Sequence, residues 1–283
     1  MRPTLLEIPI PFLDLTVPVY SYGFMMLFAF AVGVFIARRK ANFEGVDPDD
    51  MSVLCVFALL AGILGAKVFH VTHQIAGYAR SPLETSMIQG GGLSLYGGAI
   101  AGFIVWVIVC RRRGVPVLKS MDLGAVGFAL GLVFGRIGCF LNGCCYGHRV
   151  ADDFIFRVYF PKITDTSGNI DGSIVFLHHL KEGWVNLTDT TALPVHPTQL
   201  YSALGAFVLF LILSNVYEYK RRDGEVALLL ALLYAPMRFY WEMLRDDSAP
   251  VMFGLTVSQL VGIPVFLLAL WLLVDGRRRL RNA

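Results

Sequence analysis

Long apolar runs separated by short charged clusters set the pattern of this chain. Uncharged stretches cover Val17–Ala37, Met51–Ala66, Leu93–Cys110, Pro197–Tyr217 and Val251–Val274. Two more, Leu123–Gly147 and Val226–Trp241, are each interrupted by one arginine, Arg136 and Arg238. Every run approaches the roughly 20 residues that a helix needs to cross a bilayer. The pattern therefore predicts an all-α polytopic membrane protein with seven transmembrane helices, forming a single integral membrane domain over residues 1–283. The longest polar stretch, His148 to His196, falls between the fourth and fifth spans and predicts a small cap, residues 148–196. Within it, Thr166–Gly172 reads as a turn between short strands.

Basic clusters orient the spans. Arg38-Arg39-Lys40, Arg111-Arg112-Arg113 with Lys119, Lys220-Arg221-Arg222 and Arg277-Arg278-Arg279 with Arg281 hold more than half of the 24 lysines and arginines. All four lie on one side if the amino terminus is outside, so the positive-inside rule gives an N-out, C-in topology with the cap extracytoplasmic. A hydrophobic content of 56% and a mean hydropathy of +0.62 agree with a membrane protein. The net charge of +3 then reports topology, and no nucleic-acid partner is expected. The first apolar run lacks a basic leader beyond Arg2 and is long enough to span, so no cleavable signal peptide is expected.

An arginine inside a span is a functional hypothesis, because burying its charge in hydrocarbon costs about 2.5–3.5 kcal/mol even on insertion scales. At 1.5 Å per residue, Arg136 lies about 24 Å from Ser120, Lys67 about 24 Å from Met51 and Arg238 about 20 Å from Glu225. All three runs point outward in this topology, so the three cations share one level near the outer headgroup boundary. The anions at that level are lipid phosphates, and a planar guanidinium binds them with paired, charge-assisted bonds. Gly127, Gly131 and Gly135 recur every fourth residue beside Arg136 and predict a helix face that another helix approaches closely.

The chain resembles the prolipoprotein diacylglyceryl transferases over nearly its whole length. The resemblance is carried by Tyr20-Ser21-Tyr22-Gly23, by Gly90-Gly91-Gly92-Leu93-Ser94-Leu95-Tyr96-Gly97-Gly98, and by the Gly-Arg-x-Gly-x-Phe-x-Asn-Gly signature at Gly135–Gly143. His196-Pro197-Thr198-Gln199-Leu200-Tyr201, Tyr234 with Arg238 and Glu242, and Gln259 complete it. It implies an enzyme of the bacterial cytoplasmic (inner) membrane. That enzyme transfers the diacylglyceryl group of phosphatidylglycerol to the lipobox cysteine of a prolipoprotein and releases glycerol phosphate. It implies lipid-binding or catalytic roles for Tyr22, Arg136, Asn142, Gly147, Tyr234, Arg238 and Glu242. Its partners would be phosphatidylglycerol, the signal-peptide lipobox and membrane lipids, with no cofactor and no metal.

Four positions depart from the family's usual pattern. Tyr96 stands for a histidine, Cys139 for an asparagine, Cys144 for a glutamate and Lys67 for an arginine. The phosphate clamp of Arg136 and Arg238 survives these changes, and the identity of the proton acceptor is left open between two residues. An acceptor thiol with a reference pKa near 8.5 must become thiolate. Tyr96 is one group placed to orient or deprotonate it, with its own reference pKa near 10 set against that task. His196 is the other, although a helix start before Pro197 also makes it a capping residue. We take Arg136, Arg238, Tyr96 and Tyr22 as catalytic candidates. Arg136, Asn142, Gly147, His196, Gln199, Tyr201, Tyr234, Glu242 and Lys67 are the substrate-binding candidates.

Cys139, Cys144, Cys145 and His148 lie close in sequence, but C-x4-C-C-x2-H matches no common zinc spacing. A disulfide or packed thiols are expected instead. His178 and His179, with His70 and His73 at the end of the second span, read as surface or interface residues and not as ligands. Two alternatives differ in class. A transporter of an anionic substrate would also bury arginines, yet matched interrupted helices in two halves are not found. A diverged phospholipid-binding protein, or a transferase with another acceptor, is the reading that Tyr96 keeps open.

Overall fold

The computed structural model describes residues 4–10, 15–78, 95–164, 174–248 and 250–282. Gly90–Ser94 and the predicted turn at Thr166–Gly172 lie outside them. The elements in order are β1 (Thr4–Ile10), β2 (Leu15–Tyr20), α1 (Ser21–Glu44), α2 (Pro48–Tyr78), α3 (Leu95–Arg113), α4 (Val117–Asn142), α5 (Ile174–Lys181), α6 (Thr198–Tyr219), α7 (Glu225–Met243) and α8 (Val257–Asn282). Each of the seven apolar runs coincides with one long helix, and α5 belongs to the cap. Six of them (α1, α2, α4, α6, α7 and α8) are long and apolar enough to cross a membrane. The architecture is that of a helical, multi-pass membrane protein. α3, with 19 residues, ends in Arg111-Arg112-Arg113.

One expectation is corrected at the amino terminus. Val17–Tyr20, read as the start of the first span, instead forms β2, which pairs antiparallel with β1 from Thr4↔Tyr20 to Ile10↔Leu15. The β-branched residues of Leu15–Tyr20 satisfy an extended ladder as readily as an apolar helix, and Pro18 tips the balance because it cannot donate an interior helical bond.

Helix ends are closed by local chemistry. α4 stops in a Schellman motif, with the Gly143 N–H donating to Phe140 O at 3.3 Å and the Cys144 N–H to Cys139 O at 3.1 Å. Gly143 takes φ 71°, the left-handed conformation that the motif needs and that glycine adopts without penalty. The same six-to-one bond closes α1 (Val46 N–H to Ala41 O, 3.1 Å) and α3 (Val115 N–H to Cys110 O, 3.0 Å).

The chain divides into two compact units, residues 34–124 and residues 1–33 with 125–283. In the first, α2 and α3 run antiparallel at glycine-mediated contact. A Cβ on Gly97 would come within 2.6 Å of Gly65 O, and one on Gly98 within 2.9 Å of Gly62 O. Cys110 Sγ lies 3.2 Å from Ser120 Oγ, which also accepts the Trp106 indole N–H at 3.0 Å. Arg38–Asp49 at 3.0 Å, Arg113–Asp50 at 2.8 Å and Lys119–Glu44 at 3.6 Å tie the basic ends of the helices to the α1–α2 region.

In the second unit the glycine face of α4 meets α1 as expected. A Cβ on Gly127 would come within 2.3 Å of Gly33 O, one on Gly131 within 3.2 Å of Ala29 O, and one on Gly138 within 3.0 Å of Met25 Cβ. The cap folds on its own small core of Tyr146, Phe160, Val175, Phe176, Val185, Ala192 and Val195. Isolated bridges Arg149↔Val195, Val158↔Val195 and Pro161↔Thr191 hold its strands of chain together.

Of the two histidines of α5, His178 is half-buried and His179 lies in the cap's interior. His179 is fully buried and its Nδ1 accepts the Leu193 N–H at 3.2 Å, while His178 Nδ1 lies 2.5 Å from the Tyr146 hydroxyl. A polar stretch of sequence concealed them because α5 turns one face onto the cap core. Burial, with the neighbouring His178 charge, lowers the His179 pKa to about 4.

Candidate active site

The residues predicted to clamp phosphate gather in the unit that contains α4 and α7. Arg136, half-buried on α4, faces the Tyr234 hydroxyl of α7. One turn further along α7, Arg238 forms an ion pair with the buried carboxylate of Glu242 and donates from Nη2 to Ser258 Oγ of α8 at 3.1 Å. Glu242 Oε2 also receives Arg245 Nη1 at 3.5 Å. Arg245 is gripped in turn by Asp247, with Nε to Oδ1 at 2.8 Å and Nη2 to Oδ2 at 3.1 Å. Two guanidiniums thus face one buried carboxylate, and the fields of Arg136, Arg245 and Glu242 all reach Arg238.

This arrangement has a physical consequence. A carboxylate that is only 5% exposed is tolerable because two cations face it, and the geometry fixes each fork in the process. Arg136 is hydrogen-bonded by the Tyr234 hydroxyl and lies near the thiols of Cys139 and Cys145. Sequence reading missed Arg245, Asp247 and Ser258. Only the (i, i+3) spacing of Glu242 and Arg245 hinted at the first.

Tyr22, in the first turn of α1, lies beside Arg136 and the thiols of Cys139, Cys144 and Cys145. Its ring carbon Cδ2 would be 3.5 Å from a Cβ on Gly138, so the missing side chain there leaves room for the ring. Asn142 is the last residue of α4, half-buried beside the Schellman turn.

Gly147 sits where three backbones meet. Its N–H donates to His196 O at 3.0 Å, and an added Cβ would lie 2.7 Å from His196 Cβ, 2.7 Å from Thr198 Cγ2 and 2.8 Å from Leu244 O. Any larger residue would push these segments apart. Gln199, fully buried, donates from Nε2 to Cys144 O at 2.8 Å, and Thr198 Oγ1 donates to Cys145 O at 2.6 Å. The motif at His196–Tyr201 therefore secures the thiol-bearing turn after α4. His196 Nδ1 and the Tyr201 hydroxyl are 3.3 Å apart, and burial with the His148 field lowers the His196 pKa. That places His196 as a neutral imidazole at neutral pH, held at the helix start and packed edge-on against Phe154 at 4.7 Å.

Lys67 and Tyr96 belong to the other unit. Gly65 and Gly97 touch across the α2–α3 contact, so Lys67 and Tyr96, each within two residues of that crossing, occupy the same level of the helix pair. Both are half-buried there.

Fold and site together define a multi-pass helical membrane protein with arginines and carboxylates clustered on α7 and the segment that follows it. The chain belongs to the prolipoprotein diacylglyceryl transferase family, whose model matches residues 10–275. It is similar to the phosphatidylglycerol–prolipoprotein diacylglyceryl transferase of Finegoldia magna, 29% identical over 260 residues, which cover 92% of each chain. The enzyme of the same name from Enterococcus faecalis is 29% identical over 266 residues, 93% of this chain and 88% of the relative. That of Staphylococcus aureus is 28% identical over 256 residues, 90% of this chain and 84% of the relative.

Proposed function

We propose that this protein transfers the diacylglyceryl group of phosphatidylglycerol to the lipobox cysteine thiol of prolipoproteins and releases glycerol phosphate. It does so in the bacterial cytoplasmic membrane as one integral domain of seven spans, N-out and C-in, with α3 as the seventh crossing and the cap outside. The observation that carries the reading is the pair Arg238 and Arg245 on Glu242, with Arg136 close enough for its field to reach Arg238, in a chain of this family.

Arg136 and Arg238 bind the lipid phosphate and stabilise the charge that builds on it as the glyceryl carbon–oxygen bond breaks. Glu242 and Ser258 hold the Arg238 fork in register, and Tyr234 and Tyr22 orient Arg136 and the headgroup. Asn142 and the backbone around Gly147 shape the turn against which the headgroup rests. His196, Gln199 and Tyr201 position that turn. Lys67 and Tyr96 act from the α2–α3 pair, Lys67 on the lipid and Tyr96 on the acceptor thiol.

The test is to incubate the purified protein with a lipobox peptide in phosphatidylglycerol micelles and measure the peptide's mass. A gain of one diacylglyceryl group, absent from a peptide with serine for cysteine, upholds the reading. An unmodified peptide alongside saturable phosphatidylglycerol binding would replace it with a lipid-binding function.

A further inference from the structure

Cys139 and Cys144, two of the positions that set this chain apart, converge in space with Cys145. The sulfurs of Cys139, Cys144 and Cys145 all lie within 4.8 Å of one another, and all three thiols are free. The fold explains the first pair. Cys139 lies three residues before Asn142, the cap of the Schellman motif that ends α4, and Cys144 two residues after it, two positions whose side chains meet in that motif. Cys144 Sγ rests 3.8 Å from Cys139 O accordingly.

Cys145 joins them at a conformational cost. It takes φ 59°, a left-handed conformation that residues other than glycine adopt uncommonly and that clusters at functional sites. The strain is held in place from outside: the Cys145 N–H donates to Asp247 Oδ2 at 3.0 Å, its carbonyl accepts the Thr198 hydroxyl, and the Cys144 carbonyl accepts Gln199 Nε2. Thiols packed only as small apolar groups would need none of this.

We propose that Cys139, Cys144 and Cys145 form a tris-thiolate site for a divalent zinc ion, whose fourth position takes the cysteine thiol of the acceptor peptide. Tetrahedral zinc with bonds of about 2.3 Å places its sulfurs about 3.8 Å apart, so small side-chain rotations close the observed cluster onto the metal. Cys139 is buried while Cys144 and Cys145 are half-buried, which gives the trio a closed floor and an open side. Catalytic zinc sites characteristically combine three protein ligands with one open position. Three thiolates on zinc leave one net negative charge, and Arg245 and Arg136 both act on the cluster to offset it. His148 is not among the side chains whose ligand atoms gather with these three sulfurs.

The identity of the acceptor rests on the transferase reading; the metal site does not. Coordination deprotonates the incoming thiol, whose proton passes to solvent. The bound sulfur forms its bond to the glyceryl carbon, and the carbon–oxygen bond to phosphate breaks. The electron pair leaves on glycerol phosphate, and the neutral thioether, a poorer ligand, departs from the metal. This supplies a thiolate at neutral pH in a chain that carries Tyr96 where a histidine is usual.

Cobalt substitution tests the proposal in the full-length protein in detergent. One equivalent of Co2+ should produce a thiolate-to-cobalt charge-transfer band. Cys144→Ser and Cys145→Ser should each lower cobalt affinity by about a hundredfold or more, at least the loss seen when an outer-sphere partner is removed. Cys55→Ser, in α2, should leave the band intact. Since a variant may misfold, wild-type protein gives a second readout: Zn2+ should protect the three thiols from alkylation, and a chelator should expose them.

Adding a lipobox peptide should shift the cobalt d–d bands, and its serine analogue should not. A shifted spectrum without any lipidated product upholds the site and sinks the transferase reading instead. Absence of the band in reduced protein, a disulfide among the three thiols that binds no metal after reduction, or full transferase activity in chelated, metal-free protein overturns the proposal.

Discussion

Replacing Arg238 by lysine separates a guanidinium clamp from a simple interfacial cation. In the structure both ends of the fork are engaged, Nη1 by the Glu242 carboxylate and Nη2 by Ser258 Oγ at 3.1 Å, and the side chain is 14% exposed. An ε-ammonium keeps the charge and can keep Glu242. It cannot also span to Ser258 and present a second parallel N–H to phosphate. The variant therefore loses about one charge-assisted contact, worth about 1.5–3 kcal/mol. If that contact strengthens as charge builds on the leaving phosphate, kcat/KM falls by about ten- to over a hundredfold, mostly in kcat. The assay is the initial rate of lipobox-peptide lipidation in phosphatidylglycerol micelles, with thermal unfolding run alongside to show that the variant folds. Near-normal turnover of a well-folded Arg238→Lys protein would refute the clamp, and a loss confined to KM would show uniform lipid binding instead.

Three further outcomes follow from particular contacts. Gly147→Ala should destabilise the protein by about 1–3 kcal/mol, because its Cβ overlaps His196, Thr198 and Leu244; thermal unfolding in detergent measures this. The folded-state pKa of His179, about 4, lies below its reference value of 6.5, so its contribution to stability is complete above about pH 6.5 and declines as the pH falls toward 4. A His179→Gln variant should flatten that decline in a melting-temperature series across the same window. Tyr96→Phe should slow transfer with little change in lipid affinity, while Tyr96→His retains it; equal rates for tyrosine and phenylalanine forms from about pH 6 to 9 would remove Tyr96 from the chemistry.

Hydropathy located every long helix, because a run of apolar side chains with no polar interruption has few other stable fates. It misjudged Val17–Tyr20, where a β-branched run with an internal proline is as apolar as a helix yet pairs with Thr4–Ile10. The glycine face of α4 was legible because a four-residue spacing projects onto one side of a helix, and Gly127 and Gly131 do meet α1. Arg238 and Glu242 were legible for the same reason. Ser258 was not, since its contact with Arg238 depends on how α8 packs against α7, which no local pattern encodes. His179 was misread because the cap's burial arises from a small cluster assembled across the whole segment. The packing of Cys139, Cys144 and Cys145 was legible from their closeness in sequence, whereas the left-handed turn at Gly143 and the positive φ of Cys145 that bring them together were not.

The most direct test of the transfer reaction follows isotope from both halves of the lipid. Phosphatidylglycerol labelled in its diacylglyceryl moiety and, separately, in its headgroup glycerol is incubated with the protein and a lipobox peptide, and the products are weighed. The account predicts that the diacylglyceryl label moves to the peptide cysteine while an equal amount of headgroup label appears as glycerol phosphate. Headgroup label on the peptide, or both labels remaining in intact lipid, would contradict it.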